Sequence, residues 1–441
     1  MSGPAPSRHL GLGSGIGIVI SAMVGAGVFL SAGYMSQDLG PGTILVAWLI
    51  GAGIALAGVV TYSQVARWVP RSGGEYRFLA ELVHPALGYL AGWGSLLVGF
   101  SAPVAINALA AGSFAAIVAP VAPKLFAVAW IVALTALHAA GLRSSRWTQN
   151  ALVILDVVLL AGFVAVGVGL GRHEWPTWRP THEHAQFPVA AFVESLFFVA
   201  YAFAGWNTSV YVASEFRDPE RDAPRAMLLG TAGVAALYLV VNWVFVANLS
   251  PEQGRAVFEY EESRVTLGHL VVRQLVGEAG GLLMTVLVIC AFTAAASAYT
   301  LAGPRVYSEM ARDGFLPAAL VAREGRPPVA AVLVQGALAL AIVQTHTLRE
   351  ALSGVGAILT LFSALVALSV FRVAWRPGVH SRPGVLTLLA AGTYVSAAAV
   401  MLYIGFRSAA HLGVWVGGLS LVGLAAYALT ARGRRRPGSS G

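Results

Sequence analysis

Apolar runs of about 20 residues, the length of an α-helix that crosses a bilayer, recur along this chain and constrain its fold more than any other feature. The composition agrees, because 57% of the 441 residues are hydrophobic and only 11% are charged. Soluble domains carry about 25% charged residues. We therefore predict an all-α membrane protein. Charged or Pro/Gly-rich breaks divide the chain into twelve predicted spans: 11–35, 41–66, 85–119, 125–142, 148–171, 188–212, 225–249, 280–308, 328–345, 351–372, 384–405 and 411–431.

The basic residues predict the orientation of these spans. Loops that stay in the cytoplasm retain an excess of Lys and Arg. If the N-terminus is cytoplasmic, 20 of the 28 basic residues fall on the inner side and 8 on the outer side. Both termini are therefore expected to face the cytoplasm, in a multi-pass protein of the plasma (inner) membrane.

The net charge of +8 is thus read as a signal of topology. No basic face is interleaved with aromatic residues, so we expect no nucleic-acid partner, and the C-terminal arginines 434–436 are expected to meet anionic lipid headgroups. The single cysteine, Cys290, excludes an internal disulfide. No nucleophile–base or metal-ligand motif lies in the spans, so neither an enzyme nor a metal or cofactor site is expected.

Two spans contain residues that favour a break in the middle of the helix. The first has Gly25-Ala26-Gly27 and the sixth has Gly205-Trp206-Asn207. Such glycines also serve as packing faces between helices, but matching breaks in two halves of a chain are typical of inverted-repeat transporters. The free N–H groups at one half-helix suit a carboxylate, and the carbonyls freed at a break suit an ammonium group. Two crossing breaks can therefore hold a zwitterion without a charged side chain.

Four segments of the chain resemble the amino acid–polyamine–organocation permeases. They are the first-helix glycine motif 24–29, the loop 70–76 between the second and third spans, the sixth helix with its following loop (203–207, 215 and 218–226), and the exit of the eighth helix (303–305 and 310–317). The resemblance covers nearly the whole length, and the segments occur in the family's order. It is strongest to bacterial transporters of the L-type and cationic amino acid branch.

The resemblance implies a five-plus-five inverted repeat, the LeuT-like fold, with the first and sixth helices discontinuous. The implied division is a cytoplasmic N-terminus (1–10), a first repeat (11–171), an external loop (172–187), a second repeat (188–374), two additional helices (384–431) and a cytoplasmic C-terminus (432–441). The implied activity is secondary active transport of amino acids by alternating access.

The same resemblance implies a substrate site at the two breaks. The carboxylate is expected near the first break and the amine near the carbonyls of the second, with Tyr201 closing over the substrate and Trp206 limiting its side-chain volume. Tyr201 is alternatively a packed core tyrosine, and Trp206 alternatively only packs beneath the break. The expected substrate-binding residues are Ser21, Ala22, Gly25, Ala26, Gly27, Tyr201, Ala202, Ala204, Trp206 and Asn207.

Two carboxylates lie within apolar runs, where an ionisable group is costly and is a candidate functional residue. Asp156 aligns with a position where many relatives carry lysine, so it is interpreted as a proton switch, a sodium ligand or an anchor for a cationic substrate. Ser297 is expected to supply a hydroxyl near it. Glu194 is read either as a functional acid or as a solvated rim residue. The alternatives to a proton-coupled carrier or exchanger of amino acids are a polyamine or amine exchanger and a sodium-coupled symporter.

Overall fold

In the computed structural model the described part of the chain is helical. It comprises residues 10–70, 73–141, 146–178, 186–249, 257, 260–322, 328–374 and 382–434, with only the backbone described at 146–153, 156, 214 and 429–434. The only β-bridge among these residues pairs Leu10 with Phe216.

The α-helices of the described residues are, in chain order, α1 (Leu12–Met23), α2 (Ala26–Met35), α3 (Pro41–Trp68), α4 (Gly74–Leu82), α5 (Pro85–Gly94), α6 (Ser101–Val118), α7 (Pro123–Ala139), α8 (Arg146–Leu170), α9 (Val189–Ala202), α10 (Thr208–Tyr211), α11 (Pro219–Ala247), α12 (Glu261–Val265), α13 (Leu267–Val276), α14 (Glu278–Arg312), α15 (Val329–Thr345), α16 (Leu348–Ala374), α17 (Val385–Ser408) and α18 (Ala410–Arg434).

Eight helical segments of the described chain are long and apolar enough to cross a membrane: Leu12–Met35, Pro41–Trp68, Pro85–Val118, Pro219–Ala247, Glu278–Arg312, Leu348–Ala374, Val385–Ser408 and Ala410–Ala428. The other four predicted spans correspond to helices whose described apolar parts are shorter: Pro123–Ala139, Val157–Leu170, Val189–Ala202 and Val329–Thr345. The membrane-protein class is confirmed, whereas the count of twelve spans and the inverted repeat stay predictions. Three helices of the described residues, α4, α12 and α13, lie in stretches that the sequence assigned to loops.

The outer faces of the long helices are apolar, as contact with lipid requires. Leu49 on α3 is 60% exposed, Leu283 on α14 is 61% exposed and Leu386 on α17 is 70% exposed. Soluble proteins rarely expose apolar surface on this scale. These faces are therefore assigned to the hydrocarbon of the membrane.

Both breaks occur where the glycine patterns predict them. The first leaves Val24 and Gly25 extended between α1 and α2. The second separates α9 from α10, and Gly205 within it has a φ of +104°, a left-handed conformation that glycine adopts at no steric cost.

The two breaks cross each other at backbone contact distance. A Cβ added to Gly27 would lie 2.5 Å from the Cα of Ala202, and one added to Gly205 would lie 2.5 Å from the carbonyl oxygen of Ala22. The glycine of each break therefore packs directly on the backbone of the other broken helix. Tyr238 on α11 donates a hydrogen bond to the carbonyl of Met23 (2.6 Å), which satisfies one carbonyl at the end of α1.

A wide π-helical turn, Ser95–Phe100, joins α5 to α6. The carbonyl of Leu96 in this turn accepts hydrogen bonds from the hydroxyls of Ser101 (2.8 Å) and Tyr307 (3.0 Å). Gln335 on α15 donates to the carbonyls of Phe100 (3.2 Å) and Tyr299 (3.0 Å). The turn is thus bonded to both α14 and α15.

Because the two broken helices pack so closely, one methyl group added at the crossing should destabilise the protein. Gly27→Ala forces the α2 and α9 backbones apart and should lower the free energy of unfolding by about 1–3 kcal/mol, the usual cost of overpacking. Thermal unfolding of the purified protein in detergent measures this loss. Gly17→Ala on α1 is the matched control, because no atom lies within 4 Å of its added Cβ; equal midpoints for the two variants would contradict the prediction.

Candidate functional site

A small cavity of about 10 Å³ lies at the crossing of the two breaks. This is the least space that holds one water molecule, so the crossing is closed in this conformation. Six predicted substrate-binding residues line the cavity: Ala22, Gly25, Ala26, Gly27, Tyr201 and Ala204. Ala202 packs on Gly27 instead. The structure therefore brings most of the predicted site together at one point.

Backbone groups of opposite polarity meet at this crossing. No side chain caps the N-terminus of α2, and the first N–H groups of a helix have no partner within it. These N–H groups and the helix dipole favour an anion. On the other side α9 ends at Ala202, which leaves its last carbonyls without helical partners; one of them, at Tyr201, accepts a bond from the N–H of Ala204 (2.9 Å). The arrangement suits a molecule with a carboxylate at one end and an ammonium group at the other.

Asn107 and Tyr299 also line the small cavity, and sequence reasoning missed both. Asn107 on α6 is 1% exposed, and its Nδ2 donates to the carbonyl of Pro103 (2.7 Å). Its Oδ1 has no partner among the described residues and is free to accept from a ligand. An asparagine inside an apolar run was the signal that could have found it, because polar groups at membrane depth are costly.

A larger cavity of about 320 Å³ adjoins the crossing. Ser21, Ala22, Ala204, Trp206 and Asn207 of the predicted site line it. The ring of Trp206 lies edge-on to that of Tyr62, with centroids 4.6 Å apart. Trp206 therefore forms a packed wall of this cavity, consistent with a limit on side-chain volume.

Glu75 on α4 lines the larger cavity but is only 4% exposed. Its Oε1 accepts from Asn207 Nδ2 (2.7 Å) and from the hydroxyl of Tyr62 (3.0 Å), and its Oε2 accepts from the hydroxyl of Tyr211 (2.5 Å). Burial raises the pKa of Glu75, while these three donors oppose the rise. The carboxyl thereby joins α3 and α4 to both ends of α10.

A third cavity of about 550 Å³ adjoins the 320 Å³ cavity on the side where Glu75 lies. It shares Tyr211, Val212, Arg305 and Val306 with the larger cavity. We call this side the Glu75 end. The two cavities together extend from the crossing of the breaks toward that end.

An ionic cluster joins three helices at the opposite side, which we call the Arg349 end. Arg349 on α16 contacts Glu194 on α9 (2.7 Å) and Asp38, just past α2 (3.3 Å). Arg349 also donates to the side chain of Gln37 (2.6 Å). Helices on both sides of the crossing are therefore tied together at this end.

The predicted ion-coupling residues lie apart from one another. Ser297 forms a hydrogen bond with His138 on α7 (3.0 Å), and Glu194 belongs to the Arg349 cluster. Neither lines the small cavity. The side chain of Asp156 lies outside the described residues, so its role stays a prediction.

Long apolar helices around a crossing of two broken helices define this protein as a helical membrane protein. The comparisons identify the family: a family model described as amino acid permease matches residues 10–422, and the chain belongs to that family. It is 25% identical to Asc-type amino acid transporter 1 of Mus musculus, covering 92% of this chain and 77% of the relative. It is 31% identical to an uncharacterized transporter of Mycobacterium tuberculosis (78% and 76% covered). It is 24% identical to the large neutral amino acids transporter small subunit 2 of Homo sapiens (88% and 74% covered).

The Arg349 cluster predicts a loss of stability when its cation is removed. Arg349→Met leaves Glu194 and Asp38 without their bridging charge in a half-buried position. It should lower the free energy of unfolding by about 1–3 kcal/mol, between the values for exposed and buried pairs. Denaturant unfolding measures the change. Arg407→Met is the control, because Arg407 is exposed and, among the described residues, its guanidinium bonds the hydroxyl of Tyr403 in the same helix; a loss as large as that of Arg349→Met would contradict the prediction.

Proposed function

We propose that the protein is a secondary active transporter that carries amino acids across the plasma membrane by alternating access. The observation that carries the proposal is the crossing of the two broken helices, where the N-terminus of α2, which no side chain caps, and the C-terminus of α9 meet beside one small cavity. An α-amino acid has the matching carboxylate and ammonium groups. The amino acid transport named for the relatives supports the same substrate class.

The basic residues support placing the Glu75 end in the cytoplasm and the Arg349 end outside. The two larger cavities then extend toward the cytoplasm, while the Arg349 cluster closes the outer side. In this assignment the structure is an inward-facing state without a path from the crossing to the exterior. Transport requires the Arg349 cluster to separate and the Glu75 end to close.

The proposed substrate site keeps the roles that the sequence predicts. The N–H groups of Ala26 and Gly27 hold the carboxylate, and the carbonyls near Tyr201 hold the ammonium group, with Asn107 Oδ1 as a further acceptor. Tyr201 is 5% exposed and lines the cavity, as a side chain that closes over the substrate must. Trp206 limits the side chain that enters the larger cavity.

A neutral amino acid suits this site better than a polyamine. No charged side chain is among the described residues that line the small cavity, and a polyamine requires several acidic contacts. The larger cavity does contain Glu75, which keeps amine exchange as the second candidate. Coupling to protons or operation as an exchanger is proposed ahead of sodium symport, with Asp156 as a candidate coupling residue.

Ligand-dependent stability tests the proposal. A ligand that binds only the folded state raises the unfolding midpoint with its occupancy. The purified protein should be stabilised by neutral amino acids, and the same compounds should exchange with labelled substrate in proteoliposomes. Gly25→Val fills the cavity at the N-terminus of α2 and should abolish both effects. The substitution should not strain the fold itself, because the Gly25 backbone is extended and the added Cβ would lie 3.6 Å from Ala295, an ordinary contact distance.

Gly53→Val on α3 is the matched control, because its Cβ points into open space. It should retain both the ligand shift and the exchange. Stabilisation by polyamines alone would replace the proposal with amine exchange. Ligand shifts that survive in Gly25→Val would move the substrate site away from the crossing.

A further inference from the structure

Glu75 is a buried acid whose charge no described basic residue balances. Its partners Tyr62, Asn207 and Tyr211 are all neutral donors. No ion pair at 4 Å or less joins it to a basic side chain among the residues that the structure describes. By contrast, Glu194 and Asp38 are paired with Arg349. A buried carboxylate without a cation retains its charge only through its hydrogen bonds.

Glu75 also joins two parts of the molecule that must move relative to each other. Tyr62 lies on α3, whereas Asn207 and Tyr211 flank α10, the segment that follows the second break. Ionised Glu75 accepts all three hydrogen bonds. Addition of one proton turns one of its oxygens into a donor, so the carboxyl no longer accepts all three in the same geometry.

We propose that Glu75 is the proton-binding site of this transporter and that its protonation releases α10 from α3 and α4. The inference rests on the proposed transport function and places the coupling proton on Glu75 rather than on Asp156. The step transfers one proton from a hydronium ion in cytoplasmic water to the Glu75 carboxylate: one O–H bond forms on the carboxyl, one breaks in the hydronium ion, and a water molecule is left. The two cavities at the Glu75 end supply the route for that proton.

The surroundings of Glu75 are compatible with titration in the working range. The facing titratable groups are Tyr62 on α3, Tyr211 on α10 and Tyr394 on α17, all neutral near pH 7, and Ser363 on α16 lines the same cavity. Arg305 on α14 lines both cavities at this end. Burial raises the pKa of Glu75 above its ordinary value, which moves its protonation toward neutral pH.

Proteoliposomes that contain a pH-sensitive dye test the proposal. Wild-type protein should acidify the lumen when an amino acid enters, and this signal should be lost in Glu75→Gln, because the glutamine side chain does not titrate. Glu81→Gln is the control, because Glu81 lies on the same helix and pairs with Arg77 at the surface (3.8 Å). Substrate-driven acidification that is unchanged in Glu75→Gln would overturn the proposal.

The Tyr211→Phe variant distinguishes titration of Glu75 from a purely structural role of its hydrogen bonds. It removes a donor that stabilises the Glu75 carboxylate, so the pKa of Glu75 should rise and the pH midpoint of uptake should shift to higher pH. A purely structural role would lower uptake without moving the midpoint. An unshifted midpoint would therefore overturn the proposal even if Glu75→Gln fails to fold.

Thermal unfolding without substrate distinguishes failure of this proposal from failure of the transport function. Since the folded protein keeps the Glu75 proton to higher pH than the unfolded chain does, wild-type stability should decrease as pH rises from the ordinary glutamate pKa, about 4.3, through the raised value. Glu75→Gln should lack this decrease. A missing difference overturns the proton site, whereas wild-type protein that transports no amino acid overturns only the proposed function.

Discussion

The close crossing of two broken helices is the contact on which the rest of the structure depends. Backbone polar groups at membrane depth must be satisfied or must line a cavity, so a helix breaks there only if its surroundings compensate. Here each break is packed by the other, with Gly27 on Ala202 and Gly205 on Ala22. The same contact makes the structure compact and leaves N–H and carbonyl groups facing one small space. Stability and the candidate substrate site therefore share one set of atoms.

The two ends of the molecule use different electrostatics. At the Arg349 end, opposite charges meet in a half-buried cluster, which is stable as long as the helices stay together. At the Glu75 end, one buried carboxyl is held by neutral donors, and its charge can change. In the proposed transport cycle the first arrangement responds to separation of the helices and the second to protonation.

The sequence predicted the elements more fully than their contacts. Glycines in apolar runs revealed both breaks, since the cost of glycine within a helix is a local property. The burial of Glu75 was not visible, because its loop contains several charges and the residues that enclose it, Tyr62, Asn207 and Tyr211, come from distant parts of the chain. The hydrogen bond from Arg349 to Glu194 joins residues far apart in the chain. Ser297, which was expected near Asp156, forms a hydrogen bond with His138. Hydropathy evaluates one segment at a time, whereas these contacts depend on several helices.

The wide turn between α5 and α6 has a consequence for substrate choice. Because its carbonyls are bonded to α14 and α15, these helices form one stiff wall beside the cavities. If the broken helices move as proposed for transport, side chains on that wall, such as Phe100 and Tyr299, are expected to keep their positions. A solute would then meet the same wall whichever side it came from, so the order of preference among solutes should be the same for import and export.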